Sequence, residues 1–156
     1  TILCAALGFD APRFDAGLAK PIASLHALVA NVPVSAREGF DVINPHPILV
    51  VEDEFLIALD IVAALENAGL AVAGPASTVS DALTVIQTGP LRGALLDAHL
   101  GGESASRIAD VLTARGLPFA FVSGYGRESL PPAHRAAPLV RKPFTDQEIL
   151  TAVAGF

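Results

Sequence analysis

Gly93-Ala-Leu-Leu-Asp-Ala-His99 is an apolar run that ends in a single carboxylate, Asp97, and breaks soon afterwards into Gly101-Gly102. A carboxylate at the end of such a run leaves the interior where the backbone turns, so it is presented rather than buried. Two other stretches gain meaning if Asp97 closes a strand. Upstream lies Ile48-Leu-Val-Val-Glu-Asp-Glu54, and downstream lies Val140-Arg-Lys-Pro-Phe144. The first is a short apolar run that ends in charge, and the second is where Val140 meets Arg141 and Lys142.

Working outward, the sequence alternates. Ile48–Val51 is continuous, β-branched and unalternating, as expected of a strand covered on both faces. Phe55, Leu56, Leu59, Val62, Ala63 and Leu65 then recur at helical spacing until Asn67-Ala-Gly69, where glycine reads as a stop. Leu70–Gly74 gives a second strand, and Ser80, an N-cap candidate with Asp81 behind it, opens a helix that ends at Gly89-Pro90. Gly93–Leu96 is the third strand and Ser104–Arg115 the third helix, with Ile108, Val111 and Leu112 inward. Pro118–Val122 is the fourth strand. The next connection, Gly124-Tyr-Gly-Arg-Glu-Ser-Leu-Pro-Pro132, holds too many glycines and prolines for a full helix. Pro138–Arg141 is the fifth strand, and Thr145-Asp-Gln-Glu148 matches a capping box ahead of Ile149, Leu150 and Val153. Five strands alternating with five helical segments through right-handed crossovers build an open parallel α/β sheet with helices on both faces.

Composition bounds the partners. The 156 residues suit one ordinary domain with some chain left over. Sixteen acidic against ten basic residues, a net charge of −6, supply no footprint for nucleic acid. Cys4 is the single cysteine, so no internal disulfide forms and a cytoplasmic location is expected. The longest uncharged stretch, Pro21–Ala36, falls short of the roughly 20 apolar residues of a membrane span, and the opening Thr1-Ile-Leu-Cys-Ala-Ala lacks a basic n-region, so a signal peptide is not expected. Residues 1–46 differ in kind and read as an N-terminal extension or linker. Within it Gly17–Ala30 allows one short helix, with Ile22, Leu25, Leu28 and Val29 on one face. His26, flanked by Leu25 and Ala27, reads as an ordinary half-buried histidine.

In open parallel sheets reactive groups collect at the carboxyl ends of the strands. That edge receives Glu52 and Asp53 after the first strand, Asp97 after the third, Ser123 after the fourth and Lys142 after the fifth. Carboxylates a few ångströms apart repel by about a kcal/mol or more, even at a fairly high effective dielectric, so the cluster calls for a cation. An all-oxygen donor set points to Mg2+. The set then suits phosphoryl transfer onto Asp97, with Mg2+ and Lys142 neutralising the transferred group and Ser123 donating a hydrogen bond.

In order and spacing these stretches resemble the receiver domain of bacterial response regulators, across residues 47–156. Leu49-Val-Val-Glu-Asp-Glu54 resembles the family's acidic pair, Leu95-Leu-Asp97 its phospho-acceptor strand, Val122-Ser123-Gly124 its hydroxyl position and Arg141-Lys-Pro-Phe144 its Lys-Pro. The resemblance implies a flavodoxin-like sheet of order 2-1-3-4-5, a His99 backbone carbonyl among the metal ligands and a cis Lys142–Pro143 bond. It also implies phosphoryl donation by a sensor histidine kinase or a histidine phosphotransfer protein, and allows a homodimer. Pro118-Phe-Ala-Phe-Val-Ser-Gly-Tyr-Gly126 is similar to a narrower group, the alphaproteobacterial Phe-Ala-Thr-Gly-Tyr-type receivers with a degenerate fourth helix. Typical receivers carry an aromatic switch three positions before the lysine, where this chain has Leu139. Tyr125, the single tyrosine, is the candidate switch instead.

The expected role is therefore a phospho-accepting signalling switch, not an enzyme in its own right. Alternatives are the receiver fragment of a hybrid histidine kinase and a phosphate-sink receiver. An aspartyl phosphatase would want a second acid two residues after Asp97, where His99 stands. A non-phosphorylated scaffold would not need the set Glu52, Asp53, Asp97, Ser123 and Lys142. His99 and His134 read as surface residues, and Arg127, Arg135 and Arg141 as solvated or partner-facing charges.

Overall fold

A computed structural model describes residues 46–156. The expected short helix at Gly17–Ala30 and His26 lie outside the described residues. From Ile48 the chain runs β1 (Ile48–Val51), α1 (Phe55–Asn67), β2 (Val72–Ala76), α2 (Val79–Thr88) and β3 (Gly93–Asp97). A two-stranded ribbon follows, β4 (His99–Leu100) and β5 (Glu103–Ser104), then α3 (Ser106–Ala114) and β6 (Phe119–Ser123). After two 3-10 turns, Arg127–Ser129 and Pro132–His134, come β7 (Leu139–Arg141) and α4 (Asp146–Val153). The main sheet is parallel throughout, in the order β2-β1-β3-β6-β7, which is 2-1-3-4-5 once the ribbon is set aside.

Alternation along the strands divides the interior into two layers, because successive side chains leave a strand on opposite faces. Leu49, Val51, Ala94, Leu96 and Phe121 point to one face and pack with Ile86, Ile108 and Leu112 of α2 and α3. Ile48, Val50, Leu95, Ala120 and Val122 point to the other, against Ile61, Leu65, Ile149 and Val153 of α1 and α4. The central strands β1 and β3 are buried along their whole length, whereas the edge strands β2 and β7 are only partly covered.

Several boundaries move for identifiable reasons. The N-cap of α2 is Thr78, not Ser80: its extended backbone lets the hydroxyl accept from the Asp81 amide at 3.1 Å and donate to the Asp81 carboxylate at 2.7 Å. The second strand starts at Val72 rather than Leu70, since the Leu70 amide is used to close α1 on the Leu65 carbonyl past Gly69, whose φ is +78°. Helix α3 begins at Ser106 because Glu103 and Ser104 pair with Leu100 and His99 in the ribbon. On α1 the buried stripe is Ala58, Ile61, Ala64 and Leu65, while Phe55, Leu56 and Leu59 are exposed. That helix is apolar on more of its circumference than the sheet covers, so spacing alone did not choose the face. The connection after β6 keeps only the two 3-10 turns, in line with its glycines and prolines. The capping box at Thr145–Glu148 and the cis Lys142–Pro143 bond are both present. Among the described residues no helix is long and apolar enough to cross a membrane.

Candidate functional site

The carboxyl edge of the sheet gathers the charged residues that end the strands. Asp97 is the last residue of β3 and Ser123 the last of β6; both are buried. Asp97 is therefore not held out to solvent as its place at the end of the apolar run suggested, because Lys142 and the His99 amide close over its carboxylate. Glu52 and Asp53 leave β1, the first buried and the second exposed. Lys142 follows β7, its amide donating to the Ser123 carbonyl at 2.9 Å, which fixes the lysine beside β6. All but Glu52 line an open cleft of about 750 Å3, whose wall also includes Ile57, His99 and Tyr125.

Lys142 is the centre of the charge arrangement. Its Nζ donates to Asp97 Oδ2 at 2.6 Å, lies 2.7 Å from Glu52 Oε2 and reaches within 3.9 Å of Glu54. The approach to Glu52 makes a close ion pair at a buried carboxylate. Burial pushes the Glu52 carboxyl up to about 7, with the Asp97 charge adding to the rise and Lys142 opposing it. Burial by itself would depress Lys142, but its contacts with Asp97 and Glu52 outweigh it and raise the ammonium above its ordinary value.

Backbone amides orient the acids. His99 N–H donates to Asp97 Oδ1 at 3.0 Å, Glu54 N–H to Glu52 Oε1 at 3.3 Å, and Gly101 N–H to Asp53 Oδ2 at 2.8 Å. The last of these comes from the ribbon turn, where Gly101 and Gly102 adopt φ of +59° and +90°. The Gly-Gly pair after Asp97 was the sequence signal for that turn; that its amide would reach Asp53, 48 residues away, was not. Ser123 Oγ accepts from the Tyr125 amide at 3.2 Å.

One oxygen each from Glu52, Asp53 and Asp97 lies within 4.8 Å of the others. Three converging carboxylates, with the Lys142 ammonium against only two of them, suit a hard divalent cation held through oxygen. The structure places Glu52, Asp53, Asp97, Ser123 and Lys142 together at this edge, the positions the sequence singled out. Tyr125 also borders the cleft, but as an exposed ring set edge-on to His99, with centroids 6.3 Å apart. Two surface assignments change. His134 is largely buried, with Nε2 2.7 Å from Asp110 Oδ1 and its ring against Phe119. Arg127 is not merely solvated: its guanidinium donates to the Arg135 and Ala137 carbonyls.

No family model and no curated protein matches the chain. Among solved structures it is similar to SdrG from Sphingomonas melonis Fr1, at 37% identity and a TM-score of 0.64, over 70% of this chain and 93% of that one. A BeF3-activated conformation of SdrG, attributed to Pseudomonas melonis Fr1, matches at 38% identity and a TM-score of 0.61, over 69% and 92%. The receiver domain of the response regulator PhyR from Erythrobacter litoralis matches at 28% identity and a TM-score of 0.62, over 70% and 88%. The chain belongs to the response regulator receiver family, whose members are regulatory domains of two-component signalling.

Proposed function

We propose that the chain is a phospho-accepting switch in which Asp97 takes a phosphoryl group from a histidine kinase or histidine phosphotransfer protein. The observation that carries this reading is the Lys142 ammonium 2.6 Å from Asp97, at an edge where two further carboxylates converge. In the transfer, an Asp97 oxygen forms the new O–P bond as the donor's P–N bond breaks, and the imidazole leaves with the electron pair. Lys142 holds the acceptor carboxylate in place and balances the negative charge that arrives with the phosphoryl oxygens. Ser123, buried at the neighbouring strand end, supplies a hydroxyl donor to one of those oxygens.

Glu52, Asp53, Asp97 and the His99 carbonyl are the groups that would hold Mg2+. When bound, the ion supplies Lewis-acid stabilisation of charge on the transferred group. The exposed apolar side chains of Phe55, Leu56 and Leu59 open α1 directly after the acidic pair, and give a donor protein an apolar footing beside the cleft. Tyr125, exposed at the cleft rim and tied by its amide to Ser123, is the residue through which the loop after β6 senses the site. The BeF3-activated SdrG conformation supports this reading, since a relative responds to a beryllofluoride group.

Incubation with Mg2+ and acetyl phosphate should give an acid-stable, base-labile phosphoryl adduct. EDTA and the substitution Asp97→Asn should each abolish it. An adduct that persists undiminished in Asp97→Asn would overturn the assignment.

A further inference from the structure

The loop between β6 and β7 lacks a helix, yet it is cross-linked along its length. The Gly126 carbonyl accepts from both the amide and the hydroxyl of Ser129, at 3.0 and 2.8 Å. One guanidinium nitrogen of Arg127 spans the loop to the carbonyls of Arg135 at 3.0 Å and Ala137 at 2.8 Å. Leu130 is buried in the layer that contains Ile108 and Leu112 of α3. A segment tied in this way moves as a block rather than residue by residue.

One end of that block touches the site and the other touches α3. At the near end the Tyr125 amide donates to Ser123 Oγ, the hydroxyl that a phosphoryl group on Asp97 would recruit as a donor. At the far end His134 Nε2 lies 2.7 Å from Asp110 Oδ1, midway along α3. The His134 ring is wedged against Phe119 with centroids 5.6 Å apart, so the imidazole cannot follow a moving partner by swinging freely. Its side chain is only 10% exposed, whereas that of Asp110 is 61% exposed. Apolar contacts such as those of Leu130 tolerate sliding, but a hydrogen bond is directional and weakens steeply when misaligned.

We propose that the His134–Asp110 contact is a coupling link that passes displacement of the β6–β7 loop to α3, making helix and loop one responsive face. The proposal rests on Asp97 being the phospho-acceptor. Removing the link should leave phosphoryl acceptance and the loop's own response intact while uncoupling α3.

Hydrogen–deuterium exchange on the full chain, with and without Mg2+ and acetyl phosphate, tests this, with adduct yield read from the same samples. In the wild-type chain exchange should change in both 124–137 and Ser106–Ala114. In Asp110→Ala, at an exposed position, adduct yield and the loop change should persist while the α3 change shrinks at least about threefold. His134→Ala should match it in α3, with a lower melting temperature from the lost packing on Phe119. An α3 response as large in Asp110→Ala as in wild type, or no α3 response in a phosphorylated wild-type chain, overturns the link alone. A wild-type chain that takes no phosphoryl group overturns the acceptor reading and the link with it.

Discussion

The buried carboxylate of Glu52 has an ammonium 2.7 Å away and still sits near a pKa of about 7, because burial outweighs that help. The sign of its effect on stability follows by linkage. A carboxyl raised from 4.5 to about 7 binds its proton more tightly in the folded chain, so its contribution is complete below pH 4.5 and is lost as pH rises through about 7. In EDTA the melting temperature of the wild-type chain should therefore fall relative to that of Glu52→Gln between about pH 5 and pH 7.5. Parallel profiles for the two proteins would contradict this. Mg2+ should oppose the loss, since cation and proton compete for the same oxygens. That Glu52 and Asp53 stand at the sheet's carboxyl edge was legible in the sequence, because a strand of four apolar residues ends in these two acids. The 48-residue reach of the Gly101 amide to Asp53 was not, since nothing local to either residue encodes it.

Elements were read well where one local rule decided them and poorly where two competed. Thr145 to Glu148 offered a single interpretation, and the capping box formed. At the start of α2 the sequence pointed to Ser80 as the cap, but the extended backbone falls at Thr78, whose hydroxyl takes that role instead. Helix α1 is apolar around much of its surface, so the pattern did not say that Phe55, Leu56 and Leu59 would face outward. Similarly, His134 stood in a loop whose sequence gave no sign of Asp110, 24 residues earlier on α3. The two kinds of element feature should differ in energetic weight. Thr145→Ala removes an exposed cap and should cost about 1 kcal/mol, whereas Phe121→Ala empties a fully buried site between sheet and helices and should cost about 3–5 kcal/mol. Urea unfolding of both variants gives the comparison, and equal costs would contradict the layered core described above.

For the molecule as a whole, strand alternation separates two apolar layers and leaves the carboxyl edge to charge. One layer is backed by α2 and α3, the other by α1 and α4, and the acids, the hydroxyl and the lysine occur where strands run out of both. The chain order of those strand ends was enough to foresee the fold and which charged residues gather at the carboxyl edge. It was silent on how the site connects to the remainder of the molecule, which depends on contacts across the β6–β7 loop. The central claim, that the phosphoryl group resides on Asp97, is tested most directly by trapping. Sodium borohydride reduces an acyl phosphate to an alcohol, so treatment after incubation with Mg2+ and acetyl phosphate should convert residue 97, and no other acid, to homoserine in peptide mass spectra. Reduction at Glu52 or Asp53 instead, or an adduct with no reduced residue, would contradict it.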